Sequence, residues 1–413
     1  MFENLCRLIL EGGARLVYTT TPAVGETLIK LKADFPTLHA EVSVNEKTAF
    51  ELALASAWSG KRTACIFPAS GLLEAMDPLM SSAYTGVKAA FIIACFREQG
   101  EGVTQIGLFS KLPTIASEGG ADLVRAVRYA FGLSEQYEIP CLIETAADAD
   151  AVMGGPDDAP EQKARFVKEP GRWAATPGFR YQLHRVLNEK MDRIRTDFET
   201  YPGNELRVNG RAGLITHRAS GRDETGAMSC LRLGTVFPLP LGVVTSFIER
   251  MDGVVVDEGL YPTIELQIPD RAKVKGRLMP GVAPSAAERA GERGGTPPRE
   301  ERLFGYRVVR DVLGPASSIN IAHGIVTSGG EGPVLAITDE DAFLHSGMPA
   351  FINTLYNGSS YVLAIRTQRK RQELERILKG YGFENYAAIS RAEETEGQYR
   401  ADMVTVLFCE GAI

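Results

Sequence analysis

The segment EVSVNEKTAFELALASAWSGKRTACIFPAS, residues 41–70, carries the pattern on which the fold assignment turns. Asn45 is placed to cap a helix that begins at Glu46, because an Asn side chain accepts from the backbone N–H two or three residues on. The helix runs to about Ser59 and stops at Gly60, the residue type that ends helices most readily. TACIFPAS follows at once as a short apolar run bounded by turn residues, which predicts a buried strand. Helix followed directly by buried strand is the repeating element of an α/β fold.

The same alternation extends on both sides. Upstream, a helix runs to about Gly12, and RLVYTTTP reads as a strand ending in a loop. Downstream come a helix around Leu79–Thr85, the strongest strand, AAFIIACF, and a helix over about Ala121–Tyr137. That helix leads into Pro140 and the strand CLIETA. Residues 1–150 therefore predict a parallel, doubly wound sheet. Residues 151–204 break the pattern with GGPDDAPEQ, Pro170 and Pro177, then the charged helix QLHRVLNEKMDRIRTDFETY, and read as a connector with a solvated helix face. A second α/β unit is expected over 205–275 (GLITHRAS, LRLGTVFPLP, VVTSFIERM, GVVVDEG). A third is expected over 303–413 (INIAHGIV, PVLAITDED, YVLAI, KRQELERILKGYG, MVTVLFC). Between them, 276–302 is expected to be a flexible linker, with Val282–Glu300 rich in Ala, Gly, Pro and charge and without apolar period. No Walker loop or G-x-G-x-x-G opens any unit, and Gly329-Gly330-Glu331-Gly332 is a turn between helix and strand. The fold class is α/β in three doubly wound units, with sites expected at the carboxyl ends of strands.

Bulk properties narrow the function. The chain has 413 residues, 44% hydrophobic, with 42 glycines, as tight strand–helix turns require. Formal charge is 45 − 52 = −7 and the pI is near 5.5, a poor match for general nucleic-acid binding. Small-molecule or protein partners are favoured. No apolar run reaches the roughly 18–20 residues that span a membrane. MFENLCRLILEGGARLVY is expected to be a first helix, not a signal peptide, which makes the cytoplasm the expected location. Cys6, Cys65, Cys95, Cys141, Cys230 and Cys409 lie far apart, with no CxxC. They are expected to be buried reduced thiols, not ligands of zinc or of an iron–sulfur cluster.

Several segments resemble one known family in its own order. EVSVNEKTAFELALASAWSGKRT, DPLMSSAYTGVKAAFIIA and AVRYAFGLSEQYEIPCLIETA are similar to the pyrimidine-binding domain of the indolepyruvate:ferredoxin oxidoreductase alpha subunits. RFVKEPGRWAATP resembles the segment after that domain. VFPLPLGVVTSFIERMDGVVVDEG resembles their transketolase C-terminal-like domain, and DAFLHSGMPAFINTLYN their diphosphate-binding domain. The resemblance implies that residues 1–150, 205–275 and 303–413 are these three domains, the last truncated. It implies thiamine diphosphate and magnesium as cofactors, and oxidative decarboxylation of an indolepyruvate- or arylpyruvate-like 2-oxoacid.

The implied site residues follow by position. Glu46 matches the glutamate that activates the cofactor beside the aminopyrimidine, a proton-transfer role. In YTTTPAVGE, residues 18–26, Thr21 matches a substrate-binding threonine, while Thr19 and Thr20 stand where the family has proline and glycine. In ITDEDAFLHSG, Glu340 takes the metal-binding aspartate position, with Asp339 or Asp341 as alternatives. His345, Ser346 and Gly347 match cofactor-binding positions, and Gln368 takes the metal-binding asparagine position. Mg²⁺ wants short oxygen contacts in octahedral geometry, and Glu340 and Gln368 each keep an oxygen while gaining a methylene. Asp339 replaces a glycine. The family's cysteine-rich segments have no counterpart, so electrons are expected to leave through partners. A homodimer, or a hetero-oligomer with a smaller oxidoreductase subunit and an iron–sulfur protein, is expected. The alternative is a non-catalytic paralogue with a scaffolding or regulatory role.

Overall fold

A computed structural model of the protein describes residues 2–97, 102–146, 170–173, 177–220, 228–259, 261–276, 302–311, 314–329 and 332–410. The expected linker Val282–Glu300, residues 151–169 of the connector and residues 98–101 lie outside the described residues. The chain divides into two compact units, Met1–Glu292 and Arg293–Ile413.

The first unit contains two sheets. One has seven strands, β1 (Leu16–Thr19), β2 (His39–Val42), β3 (Thr63–Pro68), β4 (Phe91–Arg97), β5 (Thr114–Ala116), β6 (Cys141–Ala146) and β10 (Thr235–Phe237), in the order β10-β5-β6-β4-β3-β1-β2. All neighbours run parallel except β10, which lies antiparallel on β5. The carboxyl ends of β1, β3, β4 and β6 therefore share one edge. The expected helices form as α3 (Glu46–Trp58), α4 (Met76–Thr85) and α6 (Gly120–Tyr137), joined by α1 (Glu3–Glu11), α2 (Pro22–Leu31) and α5 (Thr104–Ser110). The Asn45 side chain accepts from the Thr48 N–H at 2.8 Å, as a cap should. Gly60 follows with φ +81°. Strand β4 is buried from Phe91 to Phe96, as a central parallel strand must be.

The connector includes the short helix α7 (Pro170–Trp173), and its long helix α8 (Pro177–Phe198) presents charge outward. It also buries Leu187, Met191, Ile194 and Phe198 in the core of the seven-stranded sheet. Its polar face is solvated, but the helix is packed along its length.

The second sheet of this unit is ordered β12-β11-β8-β9-β7. It is built from β7 (Glu205–Arg207), β8 (Ala212–His217), β9 (Ser229–Leu233), β11 (Gly253–Asp257) and β12 (Val274–Lys275), with β7 antiparallel. Helices α9 (Leu241–Arg250) and α10 (Thr263–Gln267) complete it. The stretch read from sequence as LRLGTVFPLP splits. Its first half is β9 in the second sheet, and Thr235–Phe237 crosses to the edge of the first.

The second compact unit is one six-stranded sheet, β13-β14-β15-β16-β18-β17. Its strands are β13 (Arg302–Leu303), β14 (Tyr306–Arg310), β15 (Val334–Asp339), β16 (Val362–Arg366), β17 (Tyr386–Ile389) and β18 (Thr405–Cys409). All pairs are parallel except β13–β14. In this register Asp339 stands opposite Arg366. All six cysteines are buried and unbridged, and burial pushes the Cys6 and Cys409 thiols up to about 12.

Candidate functional site

The carboxyl edge of the seven-stranded sheet gathers the end of β1, the start of α3 and the turn after β3. Thr19 closes β1, with its hydroxyl donating to the Ile66 carbonyl at 2.7 Å and accepting from the Thr21 N–H at 3.1 Å. That pins the chain as it leaves the sheet, so that Pro22 begins α2 with its fixed φ. Thr20 is thereby turned toward α3, and its hydroxyl donates to Glu46 Oε1 at 2.8 Å.

Glu46 is the first residue of α3, a position where the helix dipole favours a carboxylate. First-turn glutamates are ordinarily solvated, yet this one is only 3% exposed. What covers it is the short 3₁₀ helix Ser70–Ala75. A Cβ built on Gly71 would lie 2.2 Å from Glu46 Oε1, so any larger residue would push the carboxylate from this position. The result is a fixed buried carboxylate on the strand edge where α/β folds place their ligands. Deeper in the sheet, burial and the neighbouring Glu144 and Glu46 carboxylates push the Cys95 thiol well above its usual range.

A second polar group lies where the two sheets of the first unit meet. Glu144, wholly buried on β6, accepts from the N–H groups of Val103 (2.6 Å) and Thr104 (3.1 Å) at the start of α5, and pairs with Arg97 at 3.3 Å. Glu258, just past β11, accepts from the N–H groups of Ile264 and Glu265 at the start of α10. Burial raises its carboxyl to about 7 against these hydrogen bonds. Thr104 and Thr263 join the two helix starts at 3.4 Å. His217 ends β8 with Nε2 3.3 Å from the Glu258 carbonyl oxygen, and burial lowers its pKa. Sequence reading passed over all of these: the partners of Glu144 lie some 40 residues away, and the short α10 that engages Glu258 carries no periodic signal.

In the second compact unit, Glu340 follows β15 and opens a single helical turn, Glu340–Ala342. Its Oε2 accepts four hydrogen bonds, from the Thr367 hydroxyl at 2.7 Å and from the N–H groups of Gln368 (3.0 Å), Arg369 (3.3 Å) and Lys370 (3.1 Å). Burial alone would raise its carboxyl. The Thr367 hydroxyl and the three N–H groups outweigh burial and hold it below the usual carboxylate range. Asp339 Oδ1 accepts from the Ala342 N–H at 2.8 Å and caps the turn. Asp341 pairs with Lys370 at 2.6 Å, and Asp339 with Arg366 at 3.8 Å.

Indolepyruvate oxidoreductase subunits IorA align with most of this chain. The Pyrococcus abyssi protein is 25% identical over 473 aligned positions, which cover 88% of this chain and 73% of that protein. The Thermococcus kodakarensis protein is 30% identical over 269, covering 59% of this chain and 42% of that protein. The chain is thus similar, at low identity, to indolepyruvate oxidoreductase subunits IorA. It matches less than half the length of the Thermococcus relative. No family model matches it. Among solved structures, 2-oxoglutarate:ferredoxin oxidoreductase from Magnetococcus marinus has a TM-score of 0.51 and 14% identity, covering 71% of this chain and 63% of that one, a likeness of fold.

The residues singled out from the family divide into three groups. Glu46 is buried at the strand edge as a cofactor-facing carboxylate would need to be. Thr20, which the sequence reading set aside as a departure, touches it, whereas Thr21 caps α2 and its side chain makes no capping bond. His345 Nδ1 and Ser346 Oγ lie 2.6 Å from each other. A Cβ on Gly347 would meet Ala316, Phe343 and Ile319 at 3.0–3.1 Å, so this glycine also serves close packing. Glu340 and Gln368 are brought together, but by a direct N–H bond to the carboxylate oxygen.

A pyrimidine facing Glu46 is compatible with the first unit. In the second, Glu340 Oε2 is already engaged and Gln368 meets it through its backbone N–H, a poor match for a pair of metal ligands. Four hydrogens already point at Glu340 Oε2, and a cation at that oxygen would have to displace them. Among the described residues, no group of three or more His, Cys, Asp or Glu side chains is arranged to hold a metal ion.

Proposed function

We propose that this chain is the alpha-type subunit of an oxidoreductase acting on an indolepyruvate- or arylpyruvate-like 2-oxoacid, in the cytoplasm, with electrons leaving through an iron–sulfur partner. The observation that carries the reading is Glu46, a carboxylate buried at the strand edge with Gly71 packed directly against it. In this reading the chain supplies the pyrimidine-facing half of a thiamine diphosphate site, with Thr20 holding Glu46 and Thr21 next to it, while a partner chain supplies the metal–diphosphate half. The three sheets then correspond to pyrimidine-like, transketolase C-terminal-like and diphosphate-like domains, and the working form is a homo- or hetero-oligomer. Among the described residues, no helix is long and apolar enough to cross a membrane.

A second reading, a non-catalytic paralogue that scaffolds or regulates such a complex, is favoured by one specific observation: the four hydrogen bonds that engage Glu340. Calorimetric titration of the chain, assembled with its native partners, with thiamine diphosphate and Mg²⁺ separates the two. Binding that weakens in Glu46→Gln and survives Glu340→Ala supports the subunit reading. No heat at millimolar cofactor ends it and leaves the scaffold.

A further inference from the structure

The loop after β16 has the donor set of an anion cradle. Three consecutive backbone N–H groups, of Gln368, Arg369 and Lys370, and the Thr367 hydroxyl converge on a single point. The ten-residue helix Arg371–Gly380 begins directly behind them, so its positive end faces the same point, and Lys370 makes no side-chain cap of its own. Successive N–H groups at a helix start are how backbones hold phosphates and carboxylates. At that point sits Glu340 Oε2. Parallel pairing sets Asp339 opposite Arg366, which carries Glu340 alongside Thr367. The loop is then locked from outside by the ion pair of Lys370 with Asp341.

We infer that Glu340 is the resident anion of this cradle, a built-in substitute for a ligand's phosphate, and not a metal ligand. The position that the family uses to hold a cation has become an acceptor for hydrogens, and the unit has closed its own diphosphate corner. The inference stands on the geometry of the second unit alone, whatever reaction the complex runs.

Anion rescue tests it. Thermal unfolding of the full chain is followed for wild type and Glu340→Ala, in sodium chloride and in inorganic phosphate at equal ionic strength. The variant is expected to unfold about 5 °C or more below wild type, since four hydrogen bonds lose their acceptor. Millimolar phosphate is expected to recover a substantial part of that loss in Glu340→Ala and to leave wild type unmoved. A variant that phosphate does not rescue overturns the inference.

A second arm uses Glu340→Gln, which keeps an acceptor oxygen in the cradle and remains informative where Glu340→Ala fails to fold. Free Mn²⁺ is measured by electron paramagnetic resonance over wild type and this variant, with inorganic diphosphate present. The expected result is no Mn²⁺ uptake that depends on residue 340. Uptake by wild type that Glu340→Gln abolishes would make Glu340 a metal ligand and end the proposal.

Discussion

Gly71 and Glu46 form a matched pair, and neither explains itself in the linear sequence. Glu46 was legible because it follows a capping Asn45 and opens a helix. Its burial was not legible, because the turn that covers it belongs to the next βα connection. Placing a Cβ at Gly71, 2.2 Å from Glu46 Oε1, forces one of them to move. Overpacking of this kind costs about 1–3 kcal/mol. Gly71→Ala is therefore expected to lower stability by that amount in urea unfolding. In a Glu46→Ala background the same change is expected to cost little, since the clashing carboxylate is gone. Equal costs in the two backgrounds would show that Gly71 serves its turn and not the carboxylate. Thr20 teaches the same lesson. It departs from the family pattern, yet its hydroxyl is the one that holds Glu46.

At the scale of elements, two helices in the first unit start on buried glutamates instead of on their own capping residues. Glu144 serves α5 and Glu258 serves α10, and Thr104 and Thr263 join the two starts. A buried carboxyl with its folded pKa raised from 4.5 to about 7 binds its proton more tightly folded than unfolded. Its favourable contribution is complete below about 4.5 and is lost as pH rises through about 7. Stability from this group is thus expected to fall between about pH 4.5 and pH 7.5, by on the order of a few kcal/mol at most. In Glu258→Gln that part of the slope is expected to disappear. Urea midpoints for both proteins across this range check it, and parallel pH profiles would dismiss Glu258 as the cause. Periodicity located β11 and predicted nothing about α10, a helix too short to carry a pattern.

On the scale of the whole molecule, the first compact unit is one body because the chain crosses between its sheets. Thr235–Phe237 leaves the second stretch to pair with Thr114–Ile115. Arg218 reinforces the crossing from a site 2% exposed. It donates to the Gly203 carbonyl at 2.6 Å and pairs with Glu118 at 2.6 Å and Glu205 at 2.5 Å. Asp122, itself 5% exposed, lies 3.5 Å away. Removing one partner from a buried ionic group leaves charge without compensation and typically costs about 3–5 kcal/mol. Arg218→Ala is expected to lower the unfolding transition of the whole first unit while leaving that of the second in place. Hydrogen exchange read by mass spectrometry resolves the two. Loosening confined to β7, β8, β9, β11 and β12 would show that the two sheets are independent.

The α/β class, the order of helices and strands, the helix that Asn45 opens and Gly60 closes, and the position of Glu46 were determined by the sequence itself. Caps, breakers and apolar runs act within a few residues, and that is the range over which a linear pattern carries information. Tertiary structure alone decided which strand joins which sheet, that Glu46 is covered by Gly71, and that Glu340 faces four hydrogens from residues 367–370. Those outcomes depend on through-space meetings of groups some 25 to more than 100 residues apart. In such meetings a single methylene, as between aspartate and glutamate, changes what a carboxylate can reach.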